Sequence, residues 1–173
     1  MKTRDLPPHI RQPRNTEVLP MKKHIKIALV YAVLAMVCGV FYREFTKAYD
    51  FAGVTALGKV HTHLFMLGMT VFLLFALFDA KLNLQKSKLY LPFLIIYNAG
   101  VGLASIMMIV RGVLQVTAAS LNAGADGAIS GVSGIGHVLT AAGIILFFCM
   151  LLFALRSDKS AAQEQAESEK TED

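Results

Sequence analysis

Four apolar runs that contain no Asp, Glu, Lys or Arg limit the folds open to this chain of 173 residues. At about 1.5 Å of rise per helical residue, each run is long enough, or nearly so, to cross a hydrocarbon core of about 30 Å. Strands in lipid would need a closed barrel with alternating apolar and polar residues, and the runs show no such alternation. They therefore predict an all-α integral membrane protein, an up-down four-helix bundle with spans at 27–42, 60–78, 89–110 and 135–155.

The basic residues are distributed unequally around these runs, and this sets the predicted orientation. If the N-terminus is cytoplasmic, 13 of the 17 Lys and Arg residues fall inside, and Arg43, Lys47, Lys59 and Arg111 fall outside. Cytoplasmic loops of membrane proteins carry the excess of Lys and Arg. We therefore expect a multi-pass protein of the cell membrane with both termini in the cytoplasm. The net charge of +5 reflects this distribution, and nothing in it indicates a nucleic-acid partner.

Polar segments flank the predicted bundle of residues 25–155. Residues 1–24 are basic and proline-rich and predict a cytoplasmic extension, of which residues 1–20 are expected to lack stable structure; Met21 is an alternative start. Residues 156–173 are rich in Asp and Glu and predict an acidic cytoplasmic tail, either a solvated extension of the fourth helix or a disordered segment. Between the third and fourth spans, residues 112–134 are rich in Gly, Ala and Ser. This composition predicts a long outer loop, into which residues 113–116 extend the third helix.

Three histidines mark the predicted site: His61, His63 and His137. In the expected orientation the second and fourth helices both enter from the outer face, so the three residues lie in first turns at one depth. If neighbouring helices are ~8–10 Å apart, the diagonal of a four-helix bundle is roughly 12–14 Å. Two imidazoles and one flat macrocycle fit that gap. Haem binding is therefore the leading hypothesis, with His63 and His137 as the metal ligands.

His61 and His63 compete for the same role. Two residues apart, they point about 200° apart around a helix, so only one can face a central site. His61 shares a helix face with Gly68, where a macrocycle or another helix can approach closely. His63 leads into HLFMLG, which parallels HVLTAAG after His137 and favours His63. The sequence leaves both histidines as candidates.

Two arginines end the first and third runs at the same expected depth, Arg43 and Arg111. Alone, each is typical of an arginine that reaches water or lipid phosphate at a membrane surface. Beside three histidines, a guanidinium also suits a haem propionate, which it can bind through two hydrogen bonds. We therefore include both arginines in the predicted cofactor site.

Methionines at a similar depth offer a second interpretation of the site. Thioether and imidazole ligands together suit copper, although methionine in an apolar helix is also typical of simple packing. Copper is therefore the alternative cofactor, with thioethers available from Met66, Met69, Met107 and Met108.

Polar and small residues within the runs predict helix contacts. Asn98, near the middle of the third run, is expected to hydrogen-bond to another helix, and the alternative is a place on a proton or ligand path. Small residues allow two helix backbones to approach closely. Stripes of them occur in the third run, at Gly100 and Ala104, and in the fourth, at Gly136, Thr140 and Gly143.

A four-helix membrane bundle with histidines at the outer ends of its second and fourth helices resembles one half of the heme A synthase family. The segment RGVLQVTAASLNAGADGA, residues 111–128, is similar to that family's Arg- and Gly-containing stretch after a third helix. The resemblance implies that a histidine pair ligates haem. Through its HTHLFMLG motif, the chain is also similar to a small bacterial four-helix membrane family of unknown function. That second resemblance implies no activity.

The chain departs from the synthase pattern in three ways. The family's catalytic half has a glutamate one turn before its second-helix histidine, where this chain has Gly58 and Val60. An outer-loop cysteine pair is missing, and the chain has one half instead of two. These departures favour haem binding for electron transfer, sensing or assembly of a respiratory oxidase. The alternatives are a haem-modifying enzyme that acts as a homodimer, and a copper or small-solute handling protein.

Overall fold

The computed structural model describes the backbone of residues 15–172 and the side chains of residues 22–157. All four long elements in this part of the chain are helices: α1 (Asn15–Ala48), α2 (Leu57–Leu82), α3 (Tyr90–Val116) and α4 (Ala123–Glu172). A short 3₁₀ turn at Leu84–Lys86 joins α2 to α3. Each of the four helices contains a segment that is long and apolar enough to cross a membrane. The predicted all-α four-helix bundle is confirmed.

Successive helices run in opposite directions. At one end of the bundle, His24 of α1 lies beside Tyr90 of α3, with 3.1 Å between Nε2 and Oη. At the other end, Gly112 of α3 packs against the backbone of Leu57 at the start of α2. Helix α1 packs mainly on α2, α3 packs mainly on α4, and α2 also contacts α3. The exposed sides of the helices carry large apolar residues, as a lipid-facing surface requires.

The two ends of the bundle differ in charge. We call the end that contains His61, His63 and His137 the histidine end. The opposite end is the basic end, where the described side chains include Lys22, Lys23, Lys26, Lys81, Lys86, Lys88 and Arg156. Asp79, which is buried, belongs to this end as well.

The largest difference from the sequence prediction lies in residues 112–134, which were expected to form an outer loop. Helix α3 continues to Val116, as predicted for residues 113–116, but α4 begins at Ala123. The prediction of a long loop was wrong because glycine lowers helix propensity, by about 1 kcal/mol per residue, without excluding a helix, and bonds from Arg111 to Asp126 and Ser130 hold this segment against α3. Asn122 also caps α4, since its Oδ1 accepts the Ala125 N–H at 2.8 Å.

Two further expectations changed with these helix limits, and one was resolved. Because α4 begins at Ala123, His137 lies about four turns into the helix instead of in its first turn. Helix α1 begins at Asn15, within the segment expected to lack stable structure, and residues 1–14 lie outside the described residues. Helix α4 continues through Glu172, so the acidic tail takes the helical one of its two predicted forms.

Small residues bring α3 and α4 into close contact, as the sequence predicted. A Cβ atom on Gly100 would lie 2.4 Å from the backbone nitrogen of Thr140. One on Gly136 would lie 2.6 Å from the backbone nitrogen of Ala104, and one on Gly143 would lie 2.7 Å from the Tyr97 ring. These approaches fix the height of α4 along α3, and therefore the height of His137.

Aromatic rings fill the core between the middle of the bundle and the basic end. Phe75 stacks on Phe93 with ring centroids 4.9 Å apart, and Phe147 of α4 packs against Phe75 at 5.3 Å. Phe78 also contacts Phe147, at 6.2 Å. Helices α2 and α4 therefore touch through these rings towards the basic end.

Hydrogen bonds cross between helices near mid-depth. Tyr31 of α1 donates to Oδ1 of Asn98 at 2.8 Å, which confirms the predicted interhelical bond of Asn98. Tyr97 donates to the carbonyl of Leu67 at 2.6 Å. Because lipid offers no competing partner, such bonds help to fix the rotation of each helix.

The middle of α2 is π-helical at Leu64–Thr70, directly after His63. Hydrogen bonds in a π-helix span five residues, and such segments often occur at functional sites. Gly68 lies in this segment, and a Cβ there would come within 2.4 Å of the Tyr31 ring. The close approach predicted at Gly68 is therefore that of a helix, through Tyr31 of α1.

Candidate functional site

Two of the three predicted histidines face each other at the histidine end. The rings of His63 on α2 and His137 on α4 have centroids 6.3 Å apart and planes at 82°. The two residues therefore lie at one depth, as the sequence predicted. This contact lies nearer the histidine end of the bundle than the aromatic contacts between α2 and α4 do.

Both of these histidines are held in the same tautomer by their own helices. Nδ1 of His63 lies 2.9 Å from the carbonyl oxygen of Lys59, and Nδ1 of His137 lies 2.8 Å from that of Ser133. A carbonyl oxygen only accepts hydrogen bonds, so each Nδ1 must carry the hydrogen. In the neutral ring, Nε2 then has a lone pair to offer. Among the described residues, neither Nε2 has a hydrogen-bond partner.

His61 lies on a different side of α2. Its Cβ and Cγ atoms are each 3.7 Å from the place where a Cβ on Gly39 of α1 would be. Its Nδ1 is buried and has no hydrogen-bond partner among the described residues. The structure therefore does not bring His61 together with His63 and His137, as their separation of about 200° around the helix requires.

A cavity of about 450 Å³ adjoins the two facing histidines. Its volume is within the range of about 300–1,000 Å³ that is typical of small-molecule sites. Helix α3 contributes Met107, Met108 and Arg111 to its wall, and Lys59 comes from α2. The cavity thus combines two imidazoles, two cationic side chains and two thioethers.

Arg111 joins the cavity wall to the first turns of α4. Its Nη1 donates to Oδ1 of Asp126 at 2.5 Å, and its Nη2 donates to Oγ of Ser130 at 2.5 Å. The Arg111 side chain is 28% exposed and that of Asp126 is 53% exposed. The guanidinium is therefore held in place by α4 but is within reach of solvent.

Arg43, the other predicted arginine, lies apart from this group. Its side chain is 79% exposed, and its Nε is 3.6 Å from a carboxylate oxygen of the neighbouring Glu44. It does not line the cavity beside His63 and His137. Among the predicted residues, the structure therefore groups His63, His137 and Arg111, and it leaves His61 and Arg43 outside.

Sequence reasoning missed four polar residues of this site, namely Lys59, Asp126, Ser130 and Ser133. The last three were hidden because residues 112–134 were interpreted as a loop. Asn122, a residue type that favours helix N-caps, was a signal for the start of α4. Asp126 in the first turn is a second signal, since acidic residues favour helix N-termini.

A second polar group, also missed, lies at the basic end. His24 is fully buried, with Nε2 3.1 Å from Oη of Tyr90 and Nδ1 3.9 Å from Oδ2 of Asp79. Asp79 also accepts hydrogen bonds from the backbone and side chain of Gln85, at 2.9 and 2.5 Å. This group joins α1 to the α2–α3 connection. Within the part of the chain that the structure describes, no three His, Cys, Asp or Glu residues cluster as a metal site would require.

Comparison with known proteins adds a family but no activity. The family model described as "Protein of unknown function (DUF2871)" matches residues 21–154, which include all four membrane-crossing segments. Neither a curated protein nor a solved structure matches the chain.

Proposed function

The chain belongs to this family of unknown function, and from its own side chains we propose that it binds haem through His63 and His137. The observation that carries the proposal is the matched geometry of the two imidazoles. Their ring centroids lie 6.3 Å apart in an edge-to-face contact, and in both rings Nδ1 is engaged by a backbone carbonyl. The resemblance to one half of heme A synthase agrees with this proposal and stays a prediction.

The spacing of the two rings suits a single metal ion between them. His63 and His137 would be the residues that hold such an ion, since their ring centroids lie 6.3 Å apart and each ring has Nε2 left to offer. Metal-binding histidines usually donate their other ring N–H to a carboxylate, carbonyl or water, which fixes the tautomer. Lys59 and Ser133 provide such carbonyls.

The charge around the cavity favours haem as the ligand. Arg111 and Lys59 line it, and their positive charges suit the two propionates of a haem. A bound haem iron would supply one-electron redox chemistry. The protein's part would be to ligate the iron, anchor the carboxylates and tune the potential through the nearby charges of Arg111 and Lys59.

The basic residues support a location for the site relative to the membrane. Because Lys and Arg are concentrated at the basic end, we propose that this end and both termini are cytoplasmic. The haem would then lie near the outer leaflet. A non-catalytic role fits this arrangement: electron transfer, haem sensing, or assembly of a respiratory oxidase.

The test is a visible spectrum of the protein purified in detergent after expression in haem-sufficient cells. Wild type should show a Soret band, and His63→Ala and His137→Ala should each abolish it. His61→Ala is the matched control, because it removes an imidazole two residues away that faces Gly39 of α1. A wild type without haem, or full haem occupancy in both His63→Ala and His137→Ala, would overturn the proposal.

Copper is the second candidate because Met107 and Met108 line the same cavity. Imidazole and thioether together form ligand sets that bind copper. Met107→Leu and Met108→Leu conserve shape and remove the sulfur. A copper site should lose metal in at least one of these variants and show no Soret band, whereas a bis-histidine haem should be retained in both.

A further inference from the structure

Arg111 lines two cavities at the histidine end. One is the 450 Å³ cavity beside His63 and His137. The other, of about 380 Å³, lies against the α3–α4 connection and is also lined by Gln115, Leu121 and Asp126. The Arg111–Asp126 ion pair therefore stands where the two cavities adjoin.

The first three turns of α4, residues 123–134, form one side of this region, and we call them the α4 cover. Ser130, Ser133 and Ile129 of the cover line the larger cavity, and Asp126 lines the smaller. The cover is tied to α3 by the bonds that Arg111 makes to Asp126 and Ser130. Most of its residues are exposed.

Glycines make the α4 cover intrinsically weak as a helix. It contains Gly124, Gly127, Gly131 and Gly134, and glycine is the poorest helix former after proline. A Cβ added at Gly127, Gly131 or Gly134 would meet no atom within 4 Å. Packing therefore does not require glycine at these three positions, in contrast to Gly136. Because these glycines lower the helix propensity of the segment and no packing compensates for it, the segment unfolds locally at a low cost.

We propose that the α4 cover closes the candidate site, and that Asp126 occupies on Arg111 the place of a ligand carboxylate. A ligand that carries a carboxylate competes with Asp126 for the guanidinium, releases the cover and reaches the histidines. For the identity of the ligand this inference rests on the proposed haem function. Because Asp126 competes for Arg111, it lowers both the affinity of the carboxylate ligand and the rate at which that ligand binds.

The first test needs no ligand. Hydrogen exchange of the amides in residues 123–134, followed by mass spectrometry in detergent, reports how often the cover opens. Asp126→Asn should accelerate this exchange. Gly127→Ala and Gly131→Ala should each slow it, by roughly fivefold for a residue that gains full helix propensity.

Two variants serve as matched controls for this exchange. Glu44→Gln removes the same charge from an exposed ion pair on α1, and Gly102→Ala makes the same glycine change on α3, where a Cβ also meets no atom within 4 Å. Both should leave exchange in residues 123–134 unchanged. Equal exchange of this segment in wild type, Asp126→Asn and the two Gly→Ala variants would overturn the cover.

The second test uses hemin as the probe, with association followed by stopped-flow absorbance at the Soret band. Asp126→Asn should bind hemin faster than wild type and more tightly, and the doubly substituted Gly127→Ala, Gly131→Ala protein should bind it more slowly. If wild type bound hemin but all these rates were equal, the cover would not control access and the inference would fall. If hemin did not bind while exchange changed as expected, the cover would stand and haem would be rejected as its ligand.

Discussion

Replacing Gly136 by alanine should push α3 and α4 apart beside the candidate site. The new Cβ would lie 2.6 Å from the backbone nitrogen of Ala104 and 3.0 Å from its Cα, whereas ordinary van der Waals contact begins at 3.4 Å. Both neighbours are helix backbone, so a rotamer change cannot relieve the clash. Overpacking of this kind costs about 1–3 kcal/mol, and the better helix propensity of alanine offsets up to about 1 kcal/mol. We expect a net destabilisation of about 0–3 kcal/mol, which is about 1–3 kcal/mol worse than a glycine-to-alanine change without the clash.

Gly102→Ala is the matched control for this change. Gly102 is also a helical glycine of the bundle, but a Cβ there meets no atom within 4 Å. Its replacement should be neutral or stabilise by about 0.4–1 kcal/mol. The assay is unfolding in mixed detergent, followed by circular dichroism, for wild type and both variants. If Gly136→Ala proved as stable as Gly102→Ala, the close α3–α4 contact would be wrong.

Three further predictions concern orientation, charge and buried polar groups. A reporter fused after Asp173 should be active only in the cytoplasm, and activity only outside would reverse the orientation of the bundle. Arg111→Gln should weaken haem retention and shift the midpoint potential in a redox titration, and Arg111→Lys should restore retention only in part. Identical potentials in wild type and both variants would remove Arg111 from the site. His24→Leu should lower the free energy of unfolding by about 1–3 kcal/mol, because Tyr90 and Asp79 lose a buried partner. Tyr31→Phe should lower it by only about 0.6 kcal/mol, a typical value for a hydrogen bond between membrane helices, and equal losses in the two variants would contradict this ranking.

The sequence predicted the number and order of the helices because four charge-free runs in lipid have few other solutions. It did not predict where the helices end, because the ends depend on single residues outside the apolar runs. Asn122 caps α4 and so extends it into a glycine-rich stretch. Asn83 adopts a left-handed conformation, with φ of 51°, and ends α2. Asparagine is a residue type that favours both roles, but a hydropathy profile does not identify the residues that begin or end a helix.

The candidate site was predicted in part, since His63, His137 and Arg111 come together as expected. Arg43 and Arg111 are equivalent in the sequence, because each follows an apolar run. The fold separates them, since α1 packs mainly on α2, whereas α3 packs on α4 and contacts α2. Arg111 is therefore flanked by the two helices that carry His63 and His137, and Arg43 is left on the exposed side of α1.

The choice between His61 and His63 depends on the rotation of α2, which the spacing of the two histidines alone does not determine. Three contacts with α1 accompany that rotation. The His61 ring lies beside Gly39, where a Cβ would still fit at 3.7 Å, whereas a Cβ on Gly58 would come within 3.2 Å of the Tyr42 ring and one on Gly68 within 2.4 Å of the Tyr31 ring. Each contact pairs a glycine on one helix with a larger side chain on the other. Because His61 is directed to α1 by these contacts, His63 must point to the other side of the helix, where α4 carries His137. The close contacts at Gly58 and Gly68 thus help to select the histidine that reaches the cavity.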